Sequence, residues 1–172
     1  MKSKLPVYQL LPCDEDDLMI ALVDSPAIEQ PFLAFKDEEP KKYYFADEEQ
    51  KMLYGPVLIP DLLIYRNSEG YEYQVYMNAD TIKKISQKFM QDNKRFNLEH
   101  QFSTDGVEVV ESWIKADPTY DKSIVLGLSQ TLPVGTWFIG AKVNNEEVWK
   151  QVKTGQFHGF SIEATFNAVE EK

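Results

Sequence analysis

Cysteine and histidine are nearly missing from this chain: Cys13 is the single thiol, and His100 and His158 are the two imidazoles. An internal disulfide is excluded, and an ordinary structural zinc site lacks ligands. Positive charge is short as well, with 18 Lys and Arg against 28 Asp and Glu, for a formal charge of -10 and a pI near 4.7. Nucleic-acid binding draws on a positive face that releases counterions, so no nucleic-acid partner is expected. No apolar run approaches the ~20 residues that cross a bilayer. The opening stretch MKSKLPVYQLLPCDEDD also lacks the apolar centre of a signal peptide. These absences predict no membrane partner and a protein that stays in the cytoplasm where it is made. Walker and dinucleotide loops, internal repeats and low-complexity blocks are missing too. The acids at 14–17 (DEDD) lack the glycine and spacing of a calcium loop and read as a solvated tail. No cofactor is called for, and any chemistry must come from ordinary side chains.

What is present suffices for one core: 172 residues, 43% hydrophobic and 13% aromatic, read as one domain over 1–172. Residues 1–17 carry no signature and read as an N-terminal extension. Residues 36–52, dense in charge and containing Pro40, read as an exposed connection. LMIALVD (18–24) predicts a buried strand ended by Ser25-Pro26. VLIPDLLIYR and YEYQVYM, separated by Asn67-Ser68-Glu69-Gly70, predict a hairpin interrupted at Pro60. Asp80 is the expected cap of a helix carrying Ile82, Ile85, Phe89 and Met90 on one side. VEVVESWIKA predicts a strand with Val107, Val109, Glu111 and Trp113 alternating against Glu108, Val110, Ser112 and Ile114. SIVLGLS and GTWFIGAKV read as two further β runs. NNEEVWKQVKTG has an asparagine to start a helix, acids in its first turn and Gly155 to end it. FHGFSIEATFNAV is again β-rich. The order favours an α+β fold, a mostly antiparallel barrel or sandwich with helices packed outside. Trp113, Trp137 and Trp149 fall at strand and helix spacings and are assigned to packing.

Metal-free hydrolysis of a peptide bond requires an activated nucleophile, a base and donors for the oxyanion. Few residues qualify. His100 stands in Asn97-Leu98-Glu99-His100-Gln101, at the junction of a polar loop and the strand that follows. Ser161 stands in His158-Gly159-Phe160-Ser161-Ile162-Glu163, where Gly159 permits close approach of another backbone. The strand-to-helix elbow of the GxSxG hydrolases is absent, because position 163 is glutamate and a strand runs through the serine. Each residue alone has a bland reading, as a loop histidine and a strand serine.

The order of the second half changes that balance. LIPDLLIYR with a tyrosine-rich strand, DTIKKISQKFM, NLEHQF, VVESWI, LPVGTWFIGAKV, EEVWKQVKTGQ and GFSIEA together resemble the XkdF-like serine proteases of phages, which belong with the prohead proteases and are similar to herpesvirus assemblins. The resemblance covers about 18–166 and implies a β-barrel with peripheral helices. It also implies a serine endopeptidase that cleaves phage scaffold and major capsid proteins inside the assembling prohead, in the host cytoplasm, and that associates as a homodimer; the alternative reading is a catalytically silent, capsid- or scaffold-associated barrel of the same fold. Carried over residue by residue, the motif histidine falls on His100 and the motif serine on Ser161.

A third member can be sought among carboxylates. Glu111 could orient the free ring nitrogen of His100 if its strand passes beside the loop. Glu163, two residues beyond Ser161, lies on the same strand face and could also reach the imidazole. Assemblins use a second histidine, but His158, three residues before Ser161, would face the opposite side of a regular strand and reads as a bystander. They also present an arginine pair near the oxyanion, whereas this chain has Arg66 and Arg95, far apart in sequence. Backbone N–H groups of Thr154, Gly155 and Gln156 are candidate oxyanion donors, or a simple helix end.

Overall fold

The computed structural model describes residues 5–13, 18–25, 27–28, 50–91, 95–98, 102–103, 106–128 and 131–171. In chain order these form β1 (Val7–Pro12), β2 (Met19–Val23), β3 (Met52–Leu58), β4 (Ile64–Ser68), β5 (Tyr71–Tyr76), α1 (Ala79–Gln91), β6 (Arg95–Leu98) and β7 (Phe102–Ser103). They continue with β8 (Val107–Ile114), α2 (Lys122–Val125), β9 (Trp137–Val143), α3 (Glu146–Lys153), β10 (Gly159–Glu163) and β11 (Phe166–Glu170). The predicted solvated acids at 14–17, most of the predicted exposed connection and His100 lie outside the described residues.

The fold is α+β and mostly antiparallel, as the residue pattern predicts. The expected closed barrel is not formed by the described strands. They hydrogen-bond as three open sheets, in the orders β11-β1-β5-β4, β10-β2-β6-β7 and β3-β9-β8. The N-terminal strands explain the difference. β1 inserts between β11 and β5, and β2 between β10 and β6, each pairing antiparallel on one side and parallel on the other. Two short sheets are completed in this way, and no ladder among the described residues joins one sheet to the next.

Local chemistry fixes most element ends. Asn78, rather than Asp80, caps α1: its side-chain oxygen accepts from the Thr81 N–H at 2.9 Å and its carbonyl from the Ile82 N–H at 3.0 Å. Asp80 stands in the first turn, where its charge complements the helix dipole. The expected hairpin is made by β4 and β5 alone, closed by Glu69 and Gly70 at φ 51° and 90°. Two successive positive φ values match the twist of the strands in a two-residue turn, which is why glycine stands there. β3 belongs to another sheet, because the chain leaves it at Leu58 and turns through Pro60 and Asp61 before β4 begins. SIVLGLS, expected as a strand, starts with the helical turn α2. Asp121 accepts from the Ser123 N–H at 2.9 Å and its hydroxyl at 2.7 Å, and this cap outweighs the β preference of Ile124 and Val125. α3 matches its expected limits, with Asn145 accepting from the N–H groups of Glu147 and Val148.

The main core lies where α1, α3, β2, β3, β9 and β10 converge, with Ile20, Leu22, Leu53, Val57, Ile82, Ile85, Phe89, Trp137, Ile139, Trp149 and Phe160 among its buried residues. Each such side chain contributes roughly 1.5–3 kcal/mol on leaving water. Trp137 packs edge-on against Phe89, with ring centroids 5.6 Å apart. On the opposite face of the β3-β9-β8 sheet a second core gathers Met52, Tyr54, Ile59, Leu128, Leu132 and Phe138, against which Trp113 stacks at 5.3 Å from Phe138. All three tryptophans therefore pack. No helix among the described residues is long and apolar enough to cross a membrane.

Candidate active site

Ser161 lies in the middle of β10, an edge strand of its sheet. Period-two alternation sends Phe160 and Ile162 toward the main core and leaves Ser161 and Glu163 together on the other face. Antiparallel pairing aligns Ser161 with Ala21 and Glu163 with Met19. The parallel pairing of β2 with β6 carries the register one strand further, so Asn97 is level with Ser161, and Arg95 with Glu163. Arg95, remote in sequence, thus has its backbone in the same sheet as the serine. Ser161 is half-buried, and its hydroxyl has no hydrogen-bond partner among the described residues.

His100 lies outside the described residues, as does Glu99. On either side of it, Leu98 of β6 pairs with Phe102 of β7. His158 precedes β10, and its N–H donates to the Val23 carbonyl at 2.8 Å. Its ring Nε2 lies 3.5 Å from Asp24 Oδ1, both side chains being well exposed.

Glu111 is held elsewhere. Unbroken alternation would have put it on the main-core face with Val107 and Val109, a costly position for a carboxylate. A register shift between Val109 and Glu111 reverses the facing. Ser112 then takes the core side, where its hydroxyl accepts from the Trp137 indole N–H at 2.9 Å, while Glu111 and Trp113 turn to the second core. There the Tyr54 hydroxyl donates to Glu111 Oε1 at 2.9 Å, and the Lys122 ammonium pairs with Glu111 Oε2. The ammonium also sits 5.2 Å from the centroids of both the Tyr54 and Trp113 rings. Burial pushes the Lys122 ammonium pKa down and the Tyr54 hydroxyl pKa up. Burial works against ionisation of Asp121 too. It is outweighed there by hydrogen bonds from the Ser123 N–H and hydroxyl, the Trp113 indole and the Ala116 N–H, which hold the carboxyl below its usual range. Sequence reasoning missed this Tyr54–Glu111–Lys122–Asp121 network. Its one local signal was Asp121 two residues before Ser123, a helix cap inside a run rich in β-branched residues.

The candidate oxyanion donors are spent inside α3. Thr154 N–H donates to the Lys150 carbonyl, Gly155 N–H to Val152 and Gln156 N–H to Gln151, at 3.0, 3.0 and 2.9 Å. These groups end the helix. Among the described residues no three histidine, cysteine or acidic side chains gather as metal ligands.

Comparison with known proteins places these residues in a family. The family described as "Putative phage serine protease XkdF" matches residues 42–170, a span from the approach to β3 through β11 that includes His100, Glu111, Ser161 and Glu163. Two proteins of Bacillus subtilis (strain 168) are similar. The uncharacterized protein YqbD is 29% identical over 160 residues, covering 89% of this chain and 45% of its own length. The phage-like element PBSX protein XkdF is 27% identical over 161 residues, covering 89% of this chain and 54% of its own. The chain therefore spans about half the length of these relatives. No solved structure matches. With the match running through most of the chain, the strand that carries Ser161 included, the protein belongs to the phage serine protease XkdF family.

Proposed function

We propose that this chain is a serine endopeptidase of prohead maturation, cleaving phage scaffold and major capsid proteins, with Ser161 as nucleophile and His100 as general base. The reading rests on one observation: within a matched phage serine protease family, Ser161 is a half-buried strand serine whose hydroxyl is unspent among the described residues. In the proposed reaction Ser161 Oγ attacks the scissile carbonyl carbon as the His100 imidazole takes its proton. The imidazolium then passes that proton to the departing amine, and water releases the acyl group by the same route in reverse. Glu163 is favoured over Glu111 as the carboxylate that orients the imidazole. Glu163 shares a strand and a strand face with Ser161, whereas Glu111 stands on β8, in another sheet. The site would act inside the assembling prohead, in the host cytoplasm, with a homodimer as the proposed assembly. Co-expression with the neighbouring scaffold and capsid proteins, wild type beside Ser161→Ala, tests the proposal by intact mass spectrometry. Cleavage products present with the wild type and missing with the variant are expected; identical masses overturn it.

A further inference from the structure

The C-terminal half of α1 and the end of β8 enclose an open groove of about 510 Å³, lined by Ser86, Gln87, Met90, Gln91, Ser112, Trp113 and Ile114. β8 is the outer strand of its sheet among the described residues. Just past the strand, Lys115 N–H donates to the Thr136 carbonyl at 2.8 Å and Gly135 N–H to the Lys115 carbonyl at 2.9 Å, so Lys115 turns both main-chain groups toward the β9 side. Main-chain direction alternates along a strand, so Ile114 and Ser112 present their N–H and C=O groups to the groove.

The side chains of the wall are already occupied. Ser112 Oγ accepts from the Trp137 indole, Ser86 Oγ donates to the Lys83 carbonyl, and the Trp113 indole donates to Asp121. What remains for a ligand is the main chain of Ser112 and Ile114, two flexible amides on the helix, and the adaptable thioether of Met90. None of the seven lining side chains is charged, in a chain of which 27% is charged. A helix flank beside a strand edge is a geometry that takes an extended peptide as an added strand, with affinity from the backbone and loose side-chain selection.

We propose that this groove binds an uncharged extended segment of another polypeptide as an additional strand on β8. The strand side of the groove runs from Ser112 to Ile114, which is about 10 Å of strand at ~3.3 Å per residue. The groove lies on another sheet from Ser161, so peptide binding there is separable from cleavage.

The test uses the Ser161→Ala protein, so that the probe survives, and an immobilised library of random uncharged dodecapeptides. Recovered peptides are expected to slow hydrogen exchange at the Ser112 and Ile114 amides and to shield Trp113 from acrylamide. Methylating alternate peptide nitrogens should weaken binding at least tenfold, a test that leaves the protein unaltered. Ile114→Pro, which removes an outward donor while sparing the ladder to β9, should do the same. Recovery of no peptide, equal binding of methylated peptides, or exchange protection that appears without peptide as protein concentration rises would each overturn the proposal; the last identifies a second copy as the occupant. Wild-type protein that cleaves its substrates while binding no library peptide would sink the groove and leave the protease reading intact.

Discussion

Glu111 and Ser161 stand on two sheets of the same molecule and are treated in opposite ways by their surroundings. Around Glu111 the polar groups are spent on each other: its carboxylate on Tyr54 and Lys122, the ammonium between two rings, Asp121 on four donors. On β10 a half-buried hydroxyl has no such partner among the described residues. A network closed on itself locks geometry and has nothing left for a substrate, while an unspent polar group under partial cover remains available to one. Sequence alone weighs Glu111 and Glu163 as rivals for one role. The packing gives Glu111 a structural task of its own.

The sharpest way to break this comparison is to substitute at each pole. Ser161→Ala should lower kcat/KM by on the order of 10⁶-fold, and His100→Ala should do likewise, each moving Tm by no more than about 2 °C. Glu163→Ala should cost roughly 10⁴-fold in kcat with the same small change in Tm. Glu111→Ala should show the reverse pattern: a cleavage rate within a few-fold of wild type, and a loss of about 1–3 kcal/mol in urea unfolding, because the Tyr54 hydroxyl and Lys122 lose their shared acceptor. A Glu111→Ala protein of normal stability and abolished activity would exchange the two roles.

Gly140 offers a smaller test of how tightly the Glu111 corner is closed. A Cβ there would meet Tyr54 Cε1 at 2.6 Å and Glu111 Cβ at 3.1 Å, so the glycine is needed for close approach on the strand opposite Glu111. Gly140→Ala should destabilise by about 1–3 kcal/mol through displacement of the tyrosine ring. Thermal melts check this, and an unchanged Tm would mean the corner yields.

What could be read from the sequence follows from the range of the forces involved. α1 and α3 were legible because their apolar spacing and the Asn145 and Gly155 punctuation are local. Trp137 and Trp149 were assignable to packing for the same reason. α2 was hidden, since a single aspartate cap outvoted neighbouring β-branched residues. The bulge before Glu111 was hidden too, because Val107, Val109 and Val110 give no sign of where the alternation slips. Strand partnership was the least visible. β3 parts from β4 and β5, and β1 threads between β11 and β5, through pairings across long stretches of chain that no local pattern encodes. At the site, a serine on a strand was legible, while the separation of the two glutamates depended on which sheet each strand had joined.

The mildest expected effect concerns Asp121, which ties Trp113 to α2. Its folded carboxyl lies below its usual value, so its contribution is fully present above the unfolded value of about 3.9 and is lost as pH falls through the folded value. Trp137 and Trp149 are 0% and 4% exposed, so acrylamide reports chiefly on Trp113. Quenching of the wild type should be flat from neutral pH down to about pH 4 and rise below it. In Asp121→Asn the amide oxygen keeps the acceptor position of Oδ1, but the Ala116 N–H loses Oδ2 and every bond loses the charge that strengthens it, so quenching should be raised already at neutral pH and the acid step should vanish. The same acid step in both proteins would assign the change to general unfolding, and Asp121 would then be a helix cap with no special hold on the indole.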